Sequence, residues 1–102
     1  MEEFVIEDYT FRIKKMNAIE TLGLRSQINF DDYDSTVNTY SVILSKLEVK
    51  VKNEWLVVKQ GNNYYPAGIE DDVKLIEKLI LKVMDYLKEV FTKSNASKKE
   101  IK

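Results

Sequence analysis

Carboxylates are the residues of this chain that are best able to do chemistry, because its 102 residues include no histidine and no cysteine. Without these two residue types, the chain lacks the commonest general base near neutral pH, the commonest metal ligand and any thiol nucleophile. Carboxylate, lysine and tyrosine side chains remain available for catalysis. The composition therefore indicates a protein that is not an enzyme, and we predict no catalytic residues and no cofactor.

An acidic cluster with three aspartates occupies residues 31–34 and resembles part of a calcium-binding loop. A calcium loop that begins at Asp32 requires glycine at position 37 and glutamate at position 43, where this chain has valine and isoleucine. The same carboxylates suit the start of a helix, where side-chain oxygens accept backbone N–H groups and negative charge meets the positive end of the helix dipole. We therefore expect no metal site, and we expect Asp34 or Ser35 to cap a helix.

The strongest periodic pattern of the chain extends over residues 69–91 and predicts an amphipathic helix. Pro66 and Gly68 lie just upstream, and acidic residues occupy the first turn, where they favour a helix start. The adjacent carboxylates of this turn diverge by about 100° around a helix, so they are unsuited to act together on one substrate. The main apolar arc of the helix contains Val73, Ile76, Ile80, Val83, Met84, Leu87 and Phe91.

Further apolar residues widen this face to roughly half of the helix circumference, more than a surface helix of a small domain needs. They are Leu75, Leu79 and Tyr86, while Leu81 stands among charged residues. A sheet on one side and a second helix on the other would cover so wide a face. Alternatively, part of it is a surface for a partner or a second copy. The candidate partner-binding residues are therefore Leu75, Leu79, Leu81 and Tyr86.

Two further helices are predicted in the first half of the chain. Asn17 and Glu20 have the spacing of a capping box, which predicts a helix over residues 18–28. Gly23 interrupts this helix, and we interpret it as a position of close packing. A second helix is expected over residues 35–45. Its residues that are expected to face the core are Val37, Tyr40, Ile43 and Leu44, with Leu47 just beyond.

Alternating apolar and polar residues predict the strands of a small sheet. The strands are residues 9–13, with Phe4 and Ile6 as a candidate extension, and a hairpin of residues 49–51 with residues 55–59. Tyr64 and Tyr65 are candidates for a short edge strand, and for them and Trp55 packing is favoured over a binding site. The predicted fold class is α+β. It has a small antiparallel β-sheet, made of a hairpin plus an N-terminal strand, packed by about three helices in the order β-α-α-β-β-α.

Length and composition indicate a single domain of residues 1–93, followed by a disordered polar tail of residues 94–102. The net charge of -1 disfavours nucleic acid or an anionic membrane surface as the main partner. No apolar run approaches the roughly 20 residues that a membrane-spanning helix needs, and the first residues lack the pattern of a secretory signal. We therefore expect a cytoplasmic protein with no membrane partner.

Several short segments occur in a characteristic order. A strand with basic residues, YTFRIKKM, leads directly into a helix, NAIETLGLRSQI, and these are followed by EWLVV, YYPAG and an acidic helix start, IEDDV. This order resembles the small tail assembly chaperones of tailed phages and prophages, over most of residues 9–91. The resemblance implies a non-enzymatic protein, made in the cytoplasm of the host cell, that binds the tape-measure protein and helps tail-tube subunits to assemble around it.

Two other functions remain open on the residues alone. A small structural or regulatory module could self-associate into a homo-oligomer through the widened helix. A weak nucleic-acid-binding module could use Arg12, Lys14, Lys15 and Arg25, and its binding would depend strongly on salt. Within the first strand, the basic side chains point to the face opposite the aromatic ones, which disfavours a platform for single-stranded nucleic acid.

Overall fold

The structure, a computed structural model, describes residues 3–101, and it describes the side chains of residues 3–92. The predicted disorder of residues 94–102 falls on residues outside this fully described part. The elements in chain order are β1 (Glu3–Ile6), β2 (Tyr9–Ile13), α1 (Ala18–Gln27), α2 (Tyr33–Ser45), β3 (Leu47–Val51), β4 (Glu54–Val57), β5 (Lys59–Gln60), β6 (Asn63–Tyr64), a 3₁₀ turn (Ile69–Asp71) and α3 (Val73–Ile101). The predicted α+β class is therefore confirmed.

The main sheet has four antiparallel strands in the order β1-β2-β3-β4. Two hairpins form it, and the central pairing of β2 with β3 joins them. The N-terminal strand differs from its prediction, because Phe4 and Ile6 belong to a separate strand that folds back on β2 instead of extending it. Strands β5 and β6 form a second, two-stranded sheet, so the predicted strand over residues 55–59 is divided at Val58.

Both hairpins of the main sheet have two-residue turns. In the turn between β3 and β4, Lys52 and Asn53 have positive φ angles of 50° and 68°. This left-handed geometry at both central positions matches the right-handed twist of the flanking strands, and asparagine tolerates it better than most residues. In the turn between β1 and β2, Glu7 has a φ of 57°. The predicted hairpin of β3 and β4 thus has a local cause in its turn residues.

The hydrophobic core lies between one face of the main sheet and the three helices. On β2 and β3 the side chains of Phe11, Ile13, Leu47 and Val49 are buried, and the residues that alternate with them are more exposed. Phe11, Leu47 and Val49 have no exposed surface at all. Burial of a side chain of this size stabilises the fold by about 1.5–3 kcal/mol, so these residues hold the helices on the sheet.

Side-chain caps determine where α1 and α2 begin. The capping box of α1 is confirmed, because the Glu20 N–H donates to the Asn17 Oδ1 at 2.8 Å and the Asn17 N–H donates to the Glu20 Oε1 at 3.2 Å. The cap of α2 is Asp32, whose Oδ1 accepts the Ser35 N–H at 2.7 Å. Helix α2 therefore starts at Tyr33, two residues before the predicted start, and neither Asp34 nor Ser35 is the cap.

Helix α3 begins later than the sequence pattern predicts. Residues 69–71 form a 3₁₀ turn that buries Ile69, and Gly68 precedes this turn with a φ of 87°. The Leu75 N–H then donates to the Asp72 Oδ1 at 3.1 Å, and the Ile76 N–H donates to the Asp72 carbonyl. Asp72 thereby satisfies donors that the first turn of a helix leaves unpaired, and α3 starts at Val73.

Candidate protein-binding surfaces

Two of the four predicted partner-binding residues lie in the hydrophobic core. Leu75 is 2% exposed and Leu79 is fully buried, so their assignment to a surface beyond the core is corrected. Tyr86 is half-buried and packs against the core cluster. Val73, a member of the predicted main arc, is 69% exposed and therefore lies outside the buried face of α3. Core packing therefore explains most of the unusually wide apolar face of this helix.

Leu81 is the one predicted partner-binding residue that is largely exposed, at 62% of its surface. It borders an open groove with a volume of about 240 Å³ between α3 and β1, one of the two edge strands of the main sheet. Ile6 provides a second apolar side chain, and Lys78, Lys82 and Asp85 supply charges around it. This Leu81 groove combines an apolar centre with charges of both signs.

A larger group of exposed apolar side chains lies on α2 and on the loop that precedes it. We call it the α2 aromatic surface, and its members are Phe30, Tyr33, Val37 and Tyr40. Tyr33 is 81% exposed, and Phe30 and Val37 are each 46% exposed. The ring centroids of Phe30 and Tyr40 lie 5.9 Å apart. Val37 and Tyr40 were expected to face the core, so this part of the prediction for α2 is wrong.

Thr39 is the residue that turns the α2 aromatic surface outward. Its hydroxyl is completely buried and accepts the Asn29 N–H at 2.9 Å. The same hydroxyl donates toward the Asn29 carbonyl at 2.9 Å and the Gln27 carbonyl at 3.2 Å. Because a buried hydroxyl without partners is costly, these bonds fix the rotation of α2, with Thr39 and Ile43 facing inward. The sequence gives no signal for them, since the partners lie 10 to 12 residues away.

The α2 aromatic surface lies in an acidic part of the chain. Residues 26–45 contain three aspartates and no glutamate, lysine or arginine, which gives this segment a formal charge of -3 in a chain of net charge -1. One of these aspartates is Asp32, the cap of α2. Hydrogen bonds from the backbone and side chain of Ser35 lower the pKa of the exposed Asp32 carboxyl, and partial desolvation opposes this only in part. Asp32 therefore remains negatively charged at neutral pH.

Two of the four basic residues considered for nucleic-acid binding, Arg12 and Arg25, contact other side chains of the chain itself. The Arg12 Nε donates to the Glu48 Oε1 at 2.8 Å, and the guanidinium lies 4.1 Å from the centroid of the Trp55 ring. A basic side chain of β2 and an aromatic side chain of β4 thus share the outer sheet face. The pattern of β2 alone had predicted basic and aromatic side chains on opposite faces. Arg25 lies over the Phe91 ring at 4.0 Å, on a different pair of elements. Neither arginine extends freely toward a ligand.

Among the residues that the structure describes, no group of three or more His, Cys, Asp or Glu side chains could hold a metal ion. No helix in this part is both long and apolar enough to cross a membrane. Comparison with protein-family models, with curated proteins and with solved structures gives no match for this chain.

Proposed function

We propose that this protein is a non-enzymatic tail assembly chaperone, which binds a tape-measure protein in the cytoplasm of the host cell and assists tail-tube subunits to assemble around it. The sequence resemblance over most of residues 9–91 supports the proposal. The observation that carries it is the α2 aromatic surface, because its four large side chains are exposed on a capped helix and the loop that precedes it. Large apolar side chains that are exposed together often mark a protein-interaction site, because monomeric proteins rarely expose large contiguous apolar patches.

The chemistry of this surface fits a client that is another protein. Tyrosine and phenylalanine supply large contact areas at a small cost in conformational entropy, and they are enriched at the centres of protein interfaces. A tape-measure protein of largely helical structure exposes apolar stripes until the tail tube covers it. A small protein that offers apolar contacts of its own shields such stripes from solvent and from aggregation.

The test is co-expression of the tagged protein with the products of the genes that flank its own, followed by affinity purification and mass spectrometry. We expect recovery of a long, helix-rich protein, a tail-tube subunit or both. The matched control is the same purification from cells that express only the tag, so that proteins bound by the resin are subtracted. A wash at increasing salt then separates an apolar contact from a purely ionic one.

Recovery of the tagged protein alone would contradict the proposal. If light scattering of that sample showed a stable dimer, the protein would be a self-associating structural or regulatory module instead. Recovery of nucleic acid that is lost steeply with salt would favour the third function considered from the sequence. Each of these results replaces the chaperone function with a specific alternative.

A further inference from the structure

The apolar stripe on α2 is only partly covered by the protein itself. Tyr33, Val37, Tyr40 and Leu44 follow one another at intervals of four, three and four residues, which is the spacing of a coiled-coil seam. Leu44 is 4% exposed because the core covers it, whereas the other three residues are exposed at 81%, 46% and 38%. The N-terminal part of this seam therefore has no covering element among the described residues.

Charge around the seam determines which kind of partner would fit it. The segment of residues 26–45 has three aspartates, and the nearest basic residues along the chain are Arg25 and Lys46. All three aspartates are exposed, and Asp32 and Asp34 flank Tyr33 in sequence. A partner that places lysine or arginine beside its own apolar stripe gains attraction here, while an acidic partner is repelled.

We infer that the α2 aromatic surface binds one basic amphipathic helix of the client, laid along α2. This inference rests on the proposed function and deepens it by naming the surface and the chemistry of the segment that it recognises. The uncovered part of the seam, from Tyr33 to Tyr40, has a length of roughly 12 Å along α2, so it pairs with about two turns of the client helix. The apolar stripe supplies contact area, and the aspartates select a basic partner over an acidic one.

A second copy of the chain is a poorer occupant of this surface. A two-fold contact through α2 would bring the same -3 segment of each copy against the other, which costs free energy through like-charge repulsion. The exposed side of α3 would also match poorly, because its charges are nearly balanced. The positive residues are Lys74, Lys78, Lys82 and Lys88, and the negative residues are Glu77, Asp85 and Glu89.

The inference is tested with two synthetic amphipathic peptides of about 20 residues that have the same leucine stripe. One has lysine and arginine beside the stripe, and the other has glutamate at the same positions. Binding to the full chain is followed by fluorescence anisotropy at about 0.1 M salt. We expect the basic peptide to bind at least about tenfold more tightly than the acidic one. Equal affinity for the two peptides, or tighter binding of the acidic one, would overturn the inference.

Substitutions then locate the binding surface. Tyr33→Ser should weaken binding of the basic peptide about tenfold, because this exposed ring is central to the surface and is not needed for folding. Leu81→Ser is the matched control, since it removes an exposed large apolar residue from a different helix and should leave binding unchanged. The double change Asp31→Asn with Asp34→Asn keeps the Asp32 cap and should reduce the preference for the basic peptide, because two of the three negative charges are lost. If Leu81→Ser lost binding and Tyr33→Ser kept it, the peptide would be assigned to the Leu81 groove and the inference would be overturned.

Two further outcomes separate this inference from the proposed function. If co-expression recovers a client and Tyr33→Ser retains it fully, the surface is wrong and the chaperone function stands. If the basic peptide binds as expected and co-expression recovers no client, the surface stands and the chaperone function fails. Sedimentation of a dimer that Tyr33→Ser dissociates would assign the surface to a second copy and overturn the basic-helix partner.

Discussion

Leu79 and Leu81 provide a direct test of how α3 lies on the rest of the protein. They are the same residue type, two positions apart on one helix, yet Leu79 is fully buried and Leu81 is 62% exposed. We predict that Leu79→Ala strongly destabilises the protein and that Leu81→Ala does not. Because leucine and alanine both favour helices, the difference between the two variants reports on packing and not on helix propensity.

The magnitude follows from the burial of each side chain. Truncation of a fully buried leucine loses its transfer free energy and leaves a cavity, which together cost about 2–5 kcal/mol. Since a domain of this size is stable by roughly 5–15 kcal/mol, Leu79→Ala removes a large share of the total. The exposed side chain of Leu81 loses little contact, so Leu81→Ala should change the free energy of unfolding by less than about 0.5 kcal/mol.

Urea denaturation monitored by circular dichroism measures both effects. With a slope of about 2 kcal/mol per molar urea, Leu79→Ala should lower the unfolding midpoint by about 1–2.5 M, and Leu81→Ala should shift it by less than about 0.3 M. Equal losses in the two variants would refute the reasoning, because they would mean that α3 presents a different face to the core. A stable, folded Leu79→Asp variant would refute it as well.

Three smaller predictions concern local backbone features. Asn17→Ala removes the acceptor of the α1 capping box and should cost about 1 kcal/mol, or roughly 4–8 °C in the melting temperature measured by calorimetry. Gly23→Ala should stabilise the protein by about 0.5–1 kcal/mol, since an added Cβ meets no atom within 4 Å, whereas Gly68→Ala should destabilise it by about 1–2 kcal/mol because the φ of Gly68 is 87°. Urea denaturation that showed Gly23→Ala to be destabilised and Gly68→Ala to be stabilised would contradict this. The pKa of Asp32 is lowered in the folded protein, so its charged cap stabilises the fold at pH values above its ordinary pKa of 3.8, and this contribution is lost as pH falls through the lowered pKa. The stability advantage of the wild type over Asp32→Asn should therefore be smaller in thermal melts at about pH 2 than at about pH 5.

Local signals in the sequence predicted most of the elements but not how they face the core. The capping box of α1 and the hairpin turn of β3 and β4 depend on residues next to one another, so their patterns were sufficient. The rotation of α2 depends on the bonds of Thr39 to the loop after α1, which no periodic pattern contains. The interpretation of Gly23 as a position of close packing was also wrong, because no atom lies within 4 Å of a Cβ added there. The distance between packed helices depends on tertiary contacts, which the local sequence does not specify.

The candidate site was harder to predict than the fold. Excess apolar residues on α3 indicated a partner surface, yet the core uses Leu75 and Leu79 because α2 and the 3₁₀ turn both contact this helix. On α2 the reverse occurred, since residues that fit a core-facing stripe are exposed. Only Leu81, an apolar residue with charged neighbours in sequence, was placed outside the core by its local pattern alone. Hydrophobic spacing shows that a face is apolar, and tertiary contacts decide whether the protein itself covers it.

The pairing of β2 with β3 has a consequence for the order in which the chain folds. Each hairpin closes a turn of two residues, whereas the Ile13 to Leu47 pair closes a segment of 33 residues that contains α1 and α2. Closing this segment costs roughly 2.5 kcal/mol more chain entropy than closing a two-residue turn. Docking of the two helices must offset that cost at the moment of closure, so the central pairing and the helix docking form the slow step. Val49 pairs with Phe11 across β2 and β3, so Val49→Ala should slow folding in chevron kinetics.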